Sequence, residues 1–401
     1  MAKKPTTNPS FTVQQSTLNK ALSICSKALG DSKIIPINEM FLFVISPGKL
    51  QIEACDMRIV IATEIEINTS IQDFRICIPG RKLQDYIAKS VNELLLFEIE
   101  KNIIPAEMAI NPHTETEFIK SPEQIELHLL IKGAHGKCSI PCEPGEDFPK
   151  ISNIDPREFT LPAGALLQMV NRVMFAVSED QLRPSATGVN VRIEPGKVTC
   201  TALDFNMVST CTAQSELDFD ANFIIPKKAL QQIIALNPVG DLSLSISKSA
   251  LSISWGLIRA TLLLIDEKFP DYLAVTPIDN DTDFVTSRSG LINSLKRVLP
   301  FSDIGKLVKL NICTDLMHIT AENIDYSEEA SETIPGAMAN GQELLIGANG
   351  EFLLEILNSM STDEVWFSFS TPRRAMIITD GSRHVNPDKK NLCLLMPILI
   401  A

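Results

Sequence analysis

The sequence predicts an α+β chain built as three tandem copies of one domain, with strands outnumbering helices. Three observations carry that reading: a helical spacing that occurs three times, a strand-and-turn signature held in phase with it, and a second apolar helix followed by alternating strands in each copy.

The first helix of each copy lies in "FTVQQSTLNKALSICSKAL" from Phe11, "FTLPAGALLQMVNRVMFAV" from Phe159 and "FVTSRSGLINSLKRVLPF" from Phe284. Seven residues after each Phe stands Leu18, Leu166 or Leu291; eleven after, Leu22, Val170 or Leu295; fourteen after, Cys25, Val173 or Val298. Steps of four and three put these side chains on one helical face. Downstream come the alternating stretches "LQIEACD", "VTCTALD" and "MHITAEN", whose Ala54, Ala202 and Ala321 lie 43, 43 and 37 residues after their Phe. Asp56, Asp204 and Asn323 follow two positions later, the short polar residues a hairpin turn needs. The second helix is expected in "IPGRKLQDYIAKSV" from Ile78, "IPKKALQQIIALN" from Ile225 and, more loosely, "IGANGEFLLEILNSM" from Ile346. Closing strands such as "LSLSISKSALSISW" and "VWFSFSTPRRAMII" complete a copy. The expected domains are residues 1–155, 156–276 and 277–401, the first lengthened by an insertion near 102–130 around the polar "NPHTETEFIKSPEQ".

A chain of 401 residues with 45% hydrophobic and 21% charged composition is long enough for several cores. No run reaches the ~18 apolar residues of a membrane helix, and "MAKKPTTNPSF" lacks the apolar stretch of a signal peptide. A cytoplasmic protein without membrane contact is therefore expected. The nine cysteines are scattered, mostly within apolar runs, and read as reduced core residues. His135, Cys138 and Cys142 could supply three ligands to a metal, but structural zinc wants a fourth, so neither metal nor cofactor is expected. Phosphate-binding glycine loops and recognisable catalytic histidine settings are missing, which argues against an enzyme.

Net charge is −13, yet its distribution is uneven. Lys and Arg dominate five of the six helical stretches, the sixth carrying Glu351 and Glu355 instead, so the acidic excess sits on strands and loops. If the helices line one surface, Lys20, Lys27, Arg81, Lys82, Lys89, Arg172, Arg183, Lys227, Lys228, Lys296 and Arg297 would meet phosphates there, each weakly and without reading bases. The scarcity of aromatics among them favours duplex over single strands.

Three α+β copies, basic helices, "DFPKI" at Asp147, "KFPDYLAVTP" at Lys268 and the terminal "LMPILI" together resemble the bacterial sliding clamps, the beta subunits of DNA polymerase III. The resemblance implies three tandem DNA-clamp domains closing as a dimeric ring, with helices lining the hole and antiparallel sheets outside. It would encircle double-stranded DNA and act as a processivity factor. Implied partners are a second copy of the chain, the DNA polymerase III alpha subunit, clamp-loader subunits and other proteins with a clamp-binding motif. The implied peptide pocket, between the second and third domains, is walled by Leu203, Phe205, Asn206, Met207, Val208, Pro270, Val275, Leu394, Met396, Pro397 and Ile398. The implied ring contact sets the edge strand "KCSIPC", with Cys138 and Ile140, against Pro300 and Phe301 of the partner. Asn206 and Met207 stand where a His-Arg pair is usual, Ala274 replaces an Arg and Ala186 a larger apolar residue, which makes the pocket more apolar. A competing expectation, drawn from the net charge and the acidic sixth helix, is a scaffold of the same fold that does not encircle DNA.

Overall fold

The structure, a computed structural model, describes residues 9–30, 35–69, 73–104, 107–110, 117–121, 124–380 and 391–400. It divides into two compact units, one made of Met1–Thr160 with Gln231–Leu263, the other of Leu161–Leu230 with Leu264–Ala401. The division cuts through the middle copy, so each unit holds one whole copy and half of another.

Six α-helices occur among the described residues: α1 (Gln15–Cys25), α2 (Gly80–Lys89), α3 (Ala163–Val173), α4 (Lys227–Ala235), α5 (Arg288–Val298) and α6 (Gly350–Ser359). The predicted apolar face is the buried one: Leu18, Leu22 and Cys25 on α1, Leu166, Val170 and Val173 on α3, Leu291, Leu295 and Val298 on α5. The initiating Phe11, Phe159 and Phe284 lie in the strands that feed these helices and are buried there. The second helices begin later than expected. Their Ile-Pro openings end the strands Phe74–Pro79 and Ala221–Pro226, and proline hands the chain to the helix because its fixed φ suits a helix start. Asn349 does the same for α6 by accepting from the N–H groups of Glu351 (3.0 Å) and Phe352 (3.1 Å).

In the first unit the strands Phe74–Pro79, Met40–Ser46, Lys49–Cys55 and Ile59–Glu66 lie side by side in that order. Ile258–Leu263, Ala250–Trp255 and Asp241–Ile246 extend the sheet beyond Ile59–Glu66, with Ile61 opposite Ala260. On its other side the sheet continues through Lys137–Pro144, Gln124–Lys132, Leu94–Ile104 and Ser10–Gln14. The second unit repeats the order: Ala221–Pro226, Gly188–Glu194, Lys197–Leu203 and Met207–Gln214, then Asn391–Leu395, Met376–Asp380, Glu364–Phe369 and Thr282–Ser287. The third copy supplies Leu344–Asn349, Leu307–Ile312, Leu316–Asn323 and Glu328–Asn340.

The first two hairpin turns are as expected. Asp56 accepts from the N–H of Arg58 (3.1 Å) and Ile59 (3.0 Å), and Asp204 from Asn206 (3.0 Å) and Met207 (2.8 Å). The third differs, because the hairpin keeps one more pair, Asn323 with Glu328. Asn323 therefore ends a strand and the chain turns at Ile324–Tyr326 and a left-handed Ser327.

Near the insertion, Leu94–Ile104 and Gln124–Lys132 form a long antiparallel pair, and Glu107–Ile110 with Glu117–Ser121 a short one. Residues 111–116 and 122–123 of "NPHTETEFIKSPEQ" lie outside the described residues.

Candidate functional site

Two groups of residues carry chemistry: the cations on and near the helices, and an apolar junction in the second unit.

Lys20 and Lys27 in the first copy, Arg81, Lys82 and Lys89 of α2, Lys228 of α4, and Lys296 and Arg297 of α5 are exposed. Three of the expected cations are committed elsewhere. Arg172 is half-buried; its Nη1 lies 3.0 Å from Asp380 Oδ2 and its Nη2 donates to Ser361 Oγ at 2.7 Å. Lys227 pairs with Glu179 at 2.6 Å. Arg297 grips Glu332 with two bonds, of 2.8 and 2.6 Å. The acids missing from the helices are thus supplied by strands and loops, which a count along the helices cannot see. Arg172 is thus engaged in an ion pair rather than held out toward solvent. A further arginine, Arg288, gives no sign of its role in the sequence: it donates to the carbonyls of Thr362 (2.7 Å) and Leu357 (3.2 Å), tying the start of α5 to the end of α6.

The junction is built where Met207–Gln214 of the second copy pairs with Asn391–Leu395 of the third, Val208 opposite Leu394. Its floor is a buried cluster that includes Ala186, Leu203, Val208, Phe269, Ile377 and Leu394, with Ile265 and Tyr272 packed against it. Of the eleven expected wall residues, Leu203, Val208 and Leu394 form floor, and Met207 is buried beside them. Phe205, Asn206, Val275 and Met396 stand exposed, while Pro270, Pro397 and Ile398 are half-buried. Two backbone bonds fix the rim: the Met396 N–H donates to the Asn206 carbonyl at 2.7 Å, and the Ile398 N–H to the Gly347 carbonyl at 2.9 Å. The second approach explains a glycine, since a Cβ at 347 would lie 2.4 Å from the Ile398 carbonyl oxygen. The apolar C-terminus is thus paired strand through Leu395 and rim beyond it.

Arg183 lies outside the helices, and its guanidinium sits 4.2 Å from the centre of the Phe205 ring. Nearby, burial raises the Asp204 carboxyl above its ordinary range, against the pull of the two N–H groups it accepts from. Burial likewise raises Glu355 of α6, with the Asp204 charge adding to it.

Of the expected ring contact, Phe301 is 39% exposed, Pro300 is exposed and Cys138 is half-buried, but Ile140 is only 4% exposed within its own chain. Ile140 is thus buried within its own chain. Cys142 is buried, its thiol pushed up to about 12 by burial and its Sγ bonded to the Ile140 carbonyl, as befits a core residue. Among the described residues no helix is long and apolar enough to cross a membrane, and no His, Cys, Asp and Glu group is placed to hold a metal ion.

A helix pair in each of three copies, cations on the helices and an apolar junction between copies define a DNA-clamp type of protein. Three family profiles match in the order of the copies: the DNA polymerase III beta subunit N-terminal domain over residues 9–109, its central domain over 160–271 and its C-terminal domain over 274–396. The chain belongs to the DNA polymerase III beta subunit family, the DNA sliding clamps. It is 23% identical to the beta sliding clamp of Pseudomonas aeruginosa over 377 residues, covering 92% of this chain and 96% of that one. Against the beta sliding clamp of Escherichia coli strain K12 it is 23% identical over 377 residues, 93% and 96% of the two chains. Among solved structures, the Pseudomonas aeruginosa sliding clamp with ligand aligns with TM-score 0.84 at 21% identity over 98% of this chain and all of that one. A Pseudomonas aeruginosa clamp bound to griselimycin aligns with TM-score 0.83 at 22% identity, over 98% of this chain and all of that one.

Proposed function

We infer that the chain works as a DNA sliding clamp and processivity factor: a ring of two copies that encircles duplex DNA without reading sequence and tethers polymerase through the junction pocket. The observation that carries the ring is a pair of open strand edges. Ile59–Glu66 is capped on its outer edge by Ile258–Leu263 of the next copy, and Met207–Gln214 by Asn391–Leu395 of the next. The corresponding segment Glu328–Pro335 pairs only with Leu316–Asn323 among the described residues, so its outer edge stays open. Lys137–Cys142 of the first copy likewise pairs, among the described residues, with Gln124–Lys132 on one side alone. An uncovered edge recruits another strand, and head-to-tail pairing of two such edges closes a ring when the rotation allows.

Inside such a ring Lys20, Lys27, Arg81, Lys82, Lys89, Lys228 and Lys296 supply weak phosphate contacts, which suits a protein that must slide. Domains of residues 1–155, 156–276 and 277–401 fit this reading, as do cytoplasmic work and a non-catalytic role. The partners are double-stranded DNA, a second copy, the polymerase III alpha subunit, clamp-loader subunits and other proteins with a clamp-binding motif. Primer extension against excess trap DNA tests the tether: with the clamp loader present, the chain should lengthen the product of a single binding event severalfold. Unchanged product length would remove the processivity reading.

A further inference from the structure

We propose that the junction of the first and second copies holds a separate ligand site, one that takes a hydrophilic peptide segment with an acidic and a basic side chain about four residues apart. The two junctions share a scaffold and differ in chemistry at matched positions. In the second unit Val208, Leu394, Ile377 and Ser368 stand side by side across neighbouring strands. In the first unit the same row reads Val60, Thr261, Ser252 and Ser245. An asparagine from the segment between copies pins each row at its serine: Asn280 Nδ2 donates to the Ser368 carbonyl and Asn153 Nδ2 to the Ser245 carbonyl, both at 2.8 Å. Two residues along, Arg259 opposite Ala62 takes the place that Leu392 opposite Thr210 holds in the second unit. The buried apolar trio Ile377, Leu392 and Leu394 of one junction is thus replaced in the other by Ser252, Arg259 and Thr261.

The replacement opens a cavity of about 550 Å³ in the first unit. Ser243, Ser245, Ser252, Ser254 and Thr261 line it with hydroxyls, and Ile151 and Asn153 wall it on one side. A polar outer face is ordinary for a half-solvated antiparallel sheet; a cavity of ligand size between two opposite charges is not. Arg259 is exposed at one end, its guanidinium without an ion pair or hydrogen bond among the described residues. Glu158 is exposed at the other, on the strand Arg157–Pro162. That strand, Asp241–Ile246, Ala250–Trp255 and Ile258–Leu263 are consecutive in the sheet. Three strand spacings set the charges ~14 Å apart, which an extended chain covers in about four residues. Between them the serine and threonine hydroxyls both donate and accept, as a peptide backbone with polar side chains requires.

Fluorescence anisotropy at low salt with dye-labelled Asp-Ser-Gly-Ser-Lys, and with its two-Asp and two-Lys counterparts, tests the site. The unaltered chain should hold the mixed peptide at least fivefold tighter than either counterpart, and the preference should fade as salt is raised. Arg259→Glu should move the preference to the two-Lys peptide, Glu158→Lys should move it to the two-Asp peptide, and the double variant should return it to the mixed one. Both positions are exposed, so unfolding midpoints should hold within about 2 °C. Ser252→Ile with Thr261→Leu, which copies the other junction, should weaken the mixed peptide about tenfold, whereas removing Ile398 to Ala401 should leave it unchanged. A chain that binds none of the three peptides, or does not distinguish them, would overturn the site, and so would preferences that survive the charge reversals. Binding lost with the C-terminal residues would place the ligand at the other junction and overturn it equally.

Discussion

Arg172 on α3 of the second copy and Asp380 on a strand of the third meet at 3.0 Å with side chains 18% and 12% exposed, a partly buried ion pair between residues 208 apart in sequence. Burial outweighs the arginine and leaves the Asp380 carboxyl above its ordinary value. A carboxyl raised on folding takes up a proton, so its contribution turns against the fold as pH rises through the window above about 4.

Arg172→Gln removes the charge that offsets this burial. It should cost roughly 3–5 kcal/mol near pH 7, as broken buried pairs do. The cost should shrink at acid pH, because a protonated Asp380 needs no cation. Urea unfolding of the chain at both pH values measures it. An equal deficit at both would show that Arg172 acts through packing instead.

Reversal of Lys20, Lys27, Lys82, Lys89 and Lys296 to Glu should act collectively on DNA binding. Every phosphate that a reversal leaves unneutralised should flatten the slope of log affinity against log salt by about 0.9. A titration of fluorescent duplex across salt concentrations reads this. One reversal that abolished binding alone would mean a discrete site rather than a diffuse field.

In the proposed ring, Phe301 rather than Ile140 is the exposed side chain open to a partner. Phe301→Asp places a charge on an exposed side chain and should give folded monomers at micromolar concentration in sedimentation, since burying Phe is worth ~1.5–3 kcal/mol and the contact would occur twice. Ile140→Asp should instead destabilise the first unit, because the position is already core. A Phe301→Asp dimer of unchanged strength would place the seam elsewhere.

Removing Ile398 to Ala401 deletes, among the described residues, the backbone bond of Ile398 to Gly347 and leaves Asn391–Leu395 paired on both edges. A cost of about 1 kcal/mol is expected for that bond, so the fold should persist. Peptide binding should fall sharply, because the rim beyond Pro397 is gone. Unfolding of the truncated chain would make the last residues core; normal binding would move the partner site away.

The repeat was legible because it is written in backbone geometry: Leu18, Leu166 and Leu291 must face inward wherever the helix packs, and Asp56 and Asp204 must sit where two N–H groups need an acceptor. The third turn escaped because one extra pair, Asn323 with Glu328, changes no composition. Site residues were harder. Arg172 and Arg183 look like any other cation along the chain, and only folding brings Asp380 and Phe205 to them. Ile140 is a similar case, since alternation in "KCSIPC" reveals an inward face but not whether the covering residues belong to the same chain or to its partner.

Topological linkage is the most direct test of the sliding-clamp reading. The chain, labelled and loaded by its clamp loader onto nicked circular duplex, is followed by gel filtration before and after a restriction cut. Retention on the closed circle with rapid loss once the circle is opened is the predicted result. Loss at the same rate from circles and linear fragments would contradict encirclement and favour a scaffold that uses the same fold without surrounding DNA.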